Sequence, residues 1–216
     1  MSAPSEIDPD LLDPIPANPF PTLVRWFEEA RACDSIPNPE AMAVASVDAA
    51  GDPQVRLVLC RGFDPKEGRF EFFTNYESDK GVQLDAHPRA SCVIHWDPLG
   101  RQVRFTGAVA RTTEARSDAY FASRDPLSQI SAWASRQSRV VKDRETLEAS
   151  RAALRAQLGD GSAAPIPRPP HWGGFLIEAE HIELWSAREG RFHDRARWIR
   201  RREGTTTRWD GTRLQP

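Results

Sequence analysis

The chain has 216 residues, 28% of them charged and 39% hydrophobic, with 29 Lys and Arg against 31 Asp and Glu for a formal net charge of −2. That length suits one domain with a sizeable core, and the balanced charge lacks the basic excess of a nucleic-acid binder. No stretch approaches the roughly 18 apolar residues of a membrane span, so neither nucleic acid nor membrane is an expected partner.

Residues 1–21 carry six prolines and four acidic residues and little that would form a core. They read as an extended or mobile arm, not a secretory signal, ahead of a single domain over 22–216. Leu23, Phe27 and Ala30 recur at helical spacing and predict a helix over 22–33. Strand signals follow at 41–48 and 54–61, flanking the turn A-A-G-D-P, and again at 69–74. Ser78 is placed to cap a helix running to about Ala86, with Asp79 in its first turn. Strands at 90–97 and 101–111 pair around D-P-L-G. Helices are predicted at 113–122, 126–134 and 142–158, then a loop rich in Gly and Pro over 159–170. Strands at 173–178, 181–187 and 190–201, with a short one near 206–209, close the chain. Without regular βαβ alternation a doubly wound sheet is not expected. The pattern predicts a mostly β (α+β) fold, a β-barrel carrying inserted helices on its outside.

Cys33, Cys60 and Cys92 show no C-x-x-C and no zinc spacing, and an odd number without a framework fits a reducing cytoplasm. Cys60 and Cys92 lie in apolar runs and read as small core residues. The five histidines are scattered, so no metal is expected. There is no G-x-S-x-G elbow, Walker loop or G-x-G-x-x-G.

Several stretches instead suit a phosphate. Arg56 and Arg61 put a cation near each end of one strand. T-N-Y-E-S-D-K (74–80) joins a hydroxyl and a Lys to the free amides of a helix start. In Y-F-A-S-R-D-P-L-S-Q (120–129), Tyr120, Arg124 and Ser128 recur every four residues, on one helix face or, given Pro126, where a helix end and a loop converge. As a strand, G-R-F-H-D-R-A-R (190–197) would set Arg191, His193, Arg195 and Arg197 on one face. Such a strip is either a solvated edge that discourages aggregation or a site for a small anion, which Arg forks bind well.

The succession R-L-V-L-C-R-G-F-D, F-F-T-N-Y-E-S-D-K-G, R-Q-V-R-F-T-G, Y-F-A-S-R-D-P-L-S-Q-I-S-A-W-A-S-R-Q-S, P-R-P-P-H-W-G-G-F, I-E-L-W and R-F-H-D-R closely resembles the pyridoxine/pyridoxamine 5′-phosphate oxidase family over roughly residues 22–216. The resemblance implies an FMN-binding split β-barrel, homodimeric, with two FMN sites at the subunit interface. It also implies oxidation of pyridoxine or pyridoxamine 5′-phosphate by O2 to pyridoxal 5′-phosphate and H2O2, a hydride passing from the substrate's C4′ to flavin N5. By position it implies FMN contacts at Arg56, Arg61, Phe73, Thr74 and Lys80, and further ones at Gln102, Gln137, Ser138, Trp185 and Arg195. The substrate phosphate would meet Arg61, Tyr120, Arg124 and Ser128, while Arg191 and His193 would hold the pyridine ring against the flavin as the catalytic pair.

The chain departs from the family pattern at four places. Arg61 stands where members usually carry Lys, Phe73 where they carry Tyr, and Asp79 where an Arg normally meets the FMN phosphate. The arm lacks an Arg-x-x-Tyr pair that covers the substrate in some members. Two other functions fit the resemblance: an FMN oxidase of another aromatic, such as a phenazine precursor, or a non-catalytic flavin or pyridoxal-phosphate binding protein. Retention of Tyr120, Arg124 and Ser128 argues against the first, since a substrate without phosphate does not need them.

Overall fold

A computed structural model describes residues 11, 14–159, 161, 162, 164–204 and 206–216. Helix α1 (Phe20–Ala32) starts two residues earlier than expected. Asn18 Oδ1 accepts the Phe20 N–H at 3.0 Å, and Pro21 suits a first turn whose N–H groups lack helical partners. Its apolar stripe, Leu23, Trp26, Phe27 and Ala30, is buried.

The strands β1 (Ala41–Val47), β2 (Pro53–Leu59), β3 (Gly62–Asp64), β4 (Arg69–Asn75), β5 (Arg89–Trp96) and β6 (Arg101–Arg111) precede a long β7 (Trp172–Ser186), with β8 (Asp194–Glu203) and β9 (Thr206–Leu214) last. Helices α2 (Asp79–Ala86), α3 (Glu114–Ala122), α4 (Pro126–Ala134) and α5 (Arg144–Leu158) are inserted between them. The sheet runs β2-β1-β5-β6-β7-β4-β3, with β8 and β9 branching from β7, and its pairs are antiparallel.

β7 is one strand where the sequence suggested two. β6 follows both of its halves, but the register shifts between Thr106 and Gly107, so that Thr106 faces His181 and Gly107 faces Ala179. Such an irregularity bends a strand. A Cβ at Gly107 would collide with the Glu178 carbonyl, so the approach needs glycine. Beyond the bend the free edge of β7 serves two partners: Trp172–Glu178 pair with β4, and His181–Ser186 pair with β8. The sheet thereby splits into two limbs, and the expected split β-barrel is the observed fold.

Inward-facing Met42, Val44, Cys92, Ile94, Trp96, Val103 and Phe105 fill the core with Phe70 and Phe72. Phe70 stacks on Phe105 at 3.8 Å, and Phe27 of α1 meets Trp96 edge-on at 5.1 Å. Cys60 and Cys92 are buried and free, and burial pushes the Cys60 thiol up to about 12. No helix among the described residues is long and apolar enough to cross a membrane.

Three expectations need correction. Leu11 is fully buried and Ile15 packs against the core, while Trp198 Nε1–H donates to the Pro16 carbonyl at 2.7 Å. The described part of the arm is thus docked; the rest of residues 1–21 lies outside the described residues. Isolated apolar residues between prolines show no periodicity that would have announced this. Second, the strand expected over 190–201 begins only at Asp194. Glu189–Arg191 form a 3₁₀ turn in which Gly190 and Arg191 have φ of 64° and 63°. Arg191 therefore shares no strand face with Arg195 and Arg197, which alternate with buried Ala196 and Trp198. Third, β3 and most of β9 escaped the sequence reading, one being too short and the other too polar to show an alternating apolar pattern.

Candidate active site

A cavity of about 670 Å³ opens where β2, β4, α2, α3, α4 and the start of β7 meet. Its end around Lys80 is built by the turn from β4 into α2. Ser78 caps α2, its Oγ accepting the Gly81 N–H at 3.3 Å as the sequence suggested. Lys80, in the first helical turn, reaches back so that Nζ donates to Gln137 Oε1 at 3.0 Å and to Thr74 Oγ1 and Ser78 Oγ at 3.2 Å. Burial pushes Lys80 down to about 8, the Arg56 charge adds to this, and Asp79 partly opposes it.

Arg56 does not line the cavity. Its guanidinium is fixed by Ser46 Oγ at 2.5 Å, Gln83 Oε1 at 2.9 Å and the Val44 carbonyl at 3.2 Å. Asp79 is exposed, its backbone N–H donates to Ser138 Oγ at 3.3 Å, and its charge favours the protonated forms of both Arg56 and Lys80. Ser138 adopts φ of 70°, and like Arg56 it lies beside the cavity instead of in its wall.

At the other end α3 stops and α4 begins. Asp125 caps α4, accepting the Ser128 N–H at 2.9 Å, so Tyr120, Arg124 and Ser128 converge from a helix end, a loop and a helix start. This settles the alternative that Pro126 left open. Tyr120 stacks on Phe73 at 3.9 Å, and Trp172 lies nearly parallel to both, 5.6 Å from Phe73 and 6.1 Å from Tyr120. The Arg124 guanidinium sits 4.7 Å over Trp172. Its Nη1 is buried without a hydrogen-bond partner among the described residues, and burial depresses its pKa. Arg61 also faces the cavity and is exposed. Among the described residues, no carboxylate pairs with Arg56, Arg61, Lys80 or Arg124. An orphaned buried N–H among unpaired cations fits a phosphate group, which supplies the missing acceptors.

The remaining predicted residues lie on β6, β7, β8 and the segment before β8, and none of them lines the cavity. Gln102 pairs with Trp185, and Trp185 pairs with Arg195. The His193 ring lies 4.5 Å from Trp185. Arg195 donates through Nη2 and Nε to Glu183 Oε1 at 2.8 and 3.1 Å, and through Nη1 to the Gln215 carbonyl at 3.1 Å. Arg191 is exposed on the 3₁₀ turn. The predicted residues thus fall into two separate groups on one chain.

The sequence reading passed over Trp172, although it lies in the quoted H-W-G-G-F. A Cβ at Gly174 would run into Phe73 and Thr112, so this glycine lets the aromatic stack form against β7. Gln83, which fixes Arg56, had no signal, because its role arises from the packing of α2 on β1, where the Arg56 side chain reaches it from β2.

A split barrel with a cationic, aromatic-walled cavity at the start of β7 defines the class. The profile described as pyridoxamine 5′-phosphate oxidase matches residues 28–158, and that of the pyridoxine 5′-phosphate oxidase C-terminal dimerisation region matches residues 172–216. The chain belongs to the pyridoxamine 5′-phosphate oxidase family. It is 47% identical over 182 residues to the pyridoxine/pyridoxamine 5′-phosphate oxidase of Bordetella pertussis, covering 84% of this chain and 83% of that one. It is 44% identical to the enzyme of the same name from Cupriavidus metallidurans, covering 100% of this chain and 94% of the relative. Among solved structures, PhzG from Burkholderia lata 383 in complex with tetrahydrophenazine-1-carboxylic acid superposes with a TM-score of 0.86 at 29% identity, covering 100% of each chain.

Proposed function

We propose that the protein is an FMN-dependent oxidase of pyridoxine or pyridoxamine 5′-phosphate, forming pyridoxal 5′-phosphate and H2O2, with water consumed and ammonia released from the amine. The observation that carries this reading is the buried, unpartnered Nη1 of Arg124 above Trp172, beside Tyr120 and Ser128. A phosphate needs several cations and hydroxyls together, and Arg61, Arg124, Tyr120 and Ser128 line one cavity. The names of relatives at 44–47% identity point the same way.

Bound FMN would supply the redox chemistry, a two-electron acceptor for the substrate's hydride that O2 can reoxidise. The chain's residues bind and orient. Lys80, Arg61, Thr74 and Gln137 hold the flavin phosphate end, with Arg56 and Ser138 beside them, and Phe73 belongs to the aromatic wall. In this reading Gln102, Trp185 and Arg195 complete the flavin site, and Arg191 and His193 steer the pyridine ring.

Because these last residues lie off the cavity, we place them there from a second copy of the chain in a homodimer. The match of residues 172–216 to a dimerisation region supports this. So does the uncovered rim of the cavity, where Leu57 is 74% exposed beside Val55 at 70%. The free cysteines fit a reducing cytoplasm, and residues 22–216 act as one domain.

The similarity to PhzG favours a second reading, oxidation of a phenazine precursor. An aerobic assay with FMN and each B6 phosphate tests the first. It expects pyridoxal 5′-phosphate and H2O2 in equal amounts, and a yellow protein with neither product would leave only a flavin binder.

A further inference from the structure

Arg191 and His193, assigned above to the substrate ring, sit in the segment between β7 and β8, and a side chain without a role in that assignment holds this segment. Asp194, the first residue of β8, accepts Arg188 Nε–H through Oδ2 at 2.5 Å and Arg213 Nη1–H through Oδ1 at 3.1 Å. Arg188 and Asp194 are 16% and 19% exposed, a degree of cover matched by the Arg195–Glu183 and Arg200–Glu178 pairs. The carboxylate therefore ties the start of the segment to its end and both to β9. Between these ties Gly190 and Arg191 adopt left-handed φ, a conformation that persists in a non-glycine residue only where its surroundings impose it.

Arg188 also acts through its main chain. Its backbone N–H donates to His193 Nδ1 at 3.1 Å. A backbone N–H can only donate, so Nδ1 must offer its lone pair and the neutral ring carries its proton on Nε2. Trp185, 4.5 Å away, limits rotation of the ring. One residue thus has its side chain fixed by Asp194 and its main chain fixing His193.

We propose that Asp194 is a positioning residue of the reaction: by clamping Arg188 it holds His193 as the Nε2–H tautomer, aimed as a hydrogen-bond donor at an oxygen or nitrogen on the substrate ring. The proposal rests on the assignment of His193 to the substrate. Its structural part is independent of turnover, because the tautomer can be read without substrate.

The test records the ¹⁵N–¹H correlations of the His193 imidazole in flavin-loaded protein, with kcat, KM and flavin affinity. Wild type should show an unprotonated Nδ1 and a protonated Nε2. Asp194→Ala should give mixed tautomers, with kcat down roughly ten- to a hundredfold, as expected when a reacting geometry shifts by about 1 Å, and flavin affinity little changed. Asp194→Asn keeps an acceptor oxygen and should recover part of both signals. Should Asp194→Ala fail to fold, Arg188→Ala removes the clamp but keeps the backbone N–H, and should show the same losses. A lowered thermal midpoint with tautomer and kcat intact would overturn the proposal and make Asp194 a structural residue. A wild type inactive on both B6 phosphates would instead overturn the proposed function, and the tautomer comparison would still decide the role of Asp194.

Discussion

Lys80 is the residue whose charge depends most on what occupies the cavity. Burial and the neighbouring Arg56 bring it down to about 8 in the free protein, against about 10.4 in an unfolded chain. The unfolded state then binds more protons between these values, so this group's contribution to stability rises with pH from about 8 to about 10.4. Below 8 both states are protonated and the full penalty of burying the charge applies. A bound phosphate favours the protonated form, so FMN binding takes up a proton above pH 8. Above the second ionisation of the FMN phosphate at about 6, FMN affinity should therefore be nearly flat around pH 7 to 7.5 and fall above about pH 8, by up to about tenfold per pH unit. Titrations with wild type and Lys80→Met check this, since the variant should bind weakly and lose the pH dependence. Asp79 acts on the same end of the cavity. Its charge reaches Arg56 and Lys80, so Asp79→Arg should tighten FMN, most visibly at low salt. Unchanged affinity across salt would show that Asp79 serves only the start of α2. The residue types of this site were legible because phosphate chemistry demands cations and hydroxyls near a helix start. The partners that fix Arg56, Gln83 and Ser46, were not, because they come together only through packing between distant segments.

At the level of elements, alternation and capping residues placed most strands and helices within one or two residues. What they missed was curvature. The bend of β7 depends on one skipped residue opposite Gly107, which looks like any glycine in an alternating strand. Gly107→Ala would force the Glu178 carbonyl away. It should cost about 1–3 kcal/mol or more, the range for overpacking in a close-packed interior. Urea unfolding measures the loss, and a variant as stable as wild type would mean that the strands part without the close approach. The strip at 190–197 failed for a related reason: a period of two assumes an extended backbone, and Gly190 and Arg191 are left-handed. The charges were read correctly and their arrangement was not. Arg195 remains the strand-borne cation at Trp185, and Arg197 lies two pairs further along, opposite Glu183. Arg195→Ala should loosen FMN, whereas Arg197→Ala should change neither FMN affinity nor turnover, as flavin titration and steady-state rates would reveal.

For the whole molecule, the two half-sites of one chain must be joined by a second copy if the proposed function is right. Val55 is 70% exposed on β2 and does not line the cavity, so Val55→Asp tests the joining without touching the ligand. Sedimentation should find wild type dimeric and the variant shifted to monomer, with flavin lost in parallel. A monomer that keeps its flavin would place both half-sites within one chain. The central claim, a B6-phosphate oxidase and not a phenazine-type relative, rests on the phosphate-fitting end of the cavity. The most direct measurement compares kcat/KM for pyridoxine 5′-phosphate, pyridoxine without the phosphate and a tetrahydrophenazine carboxylic acid, in wild type and Arg124→Ala. The expected result is turnover of the phosphate ester, a loss of at least about a hundredfold without the phosphate, and a similar loss in the variant, since charge-assisted hydrogen bonds of about 1.5–3 kcal/mol each are removed. Faster oxidation of the tetrahydrophenazine acid than of pyridoxine 5′-phosphate would contradict it.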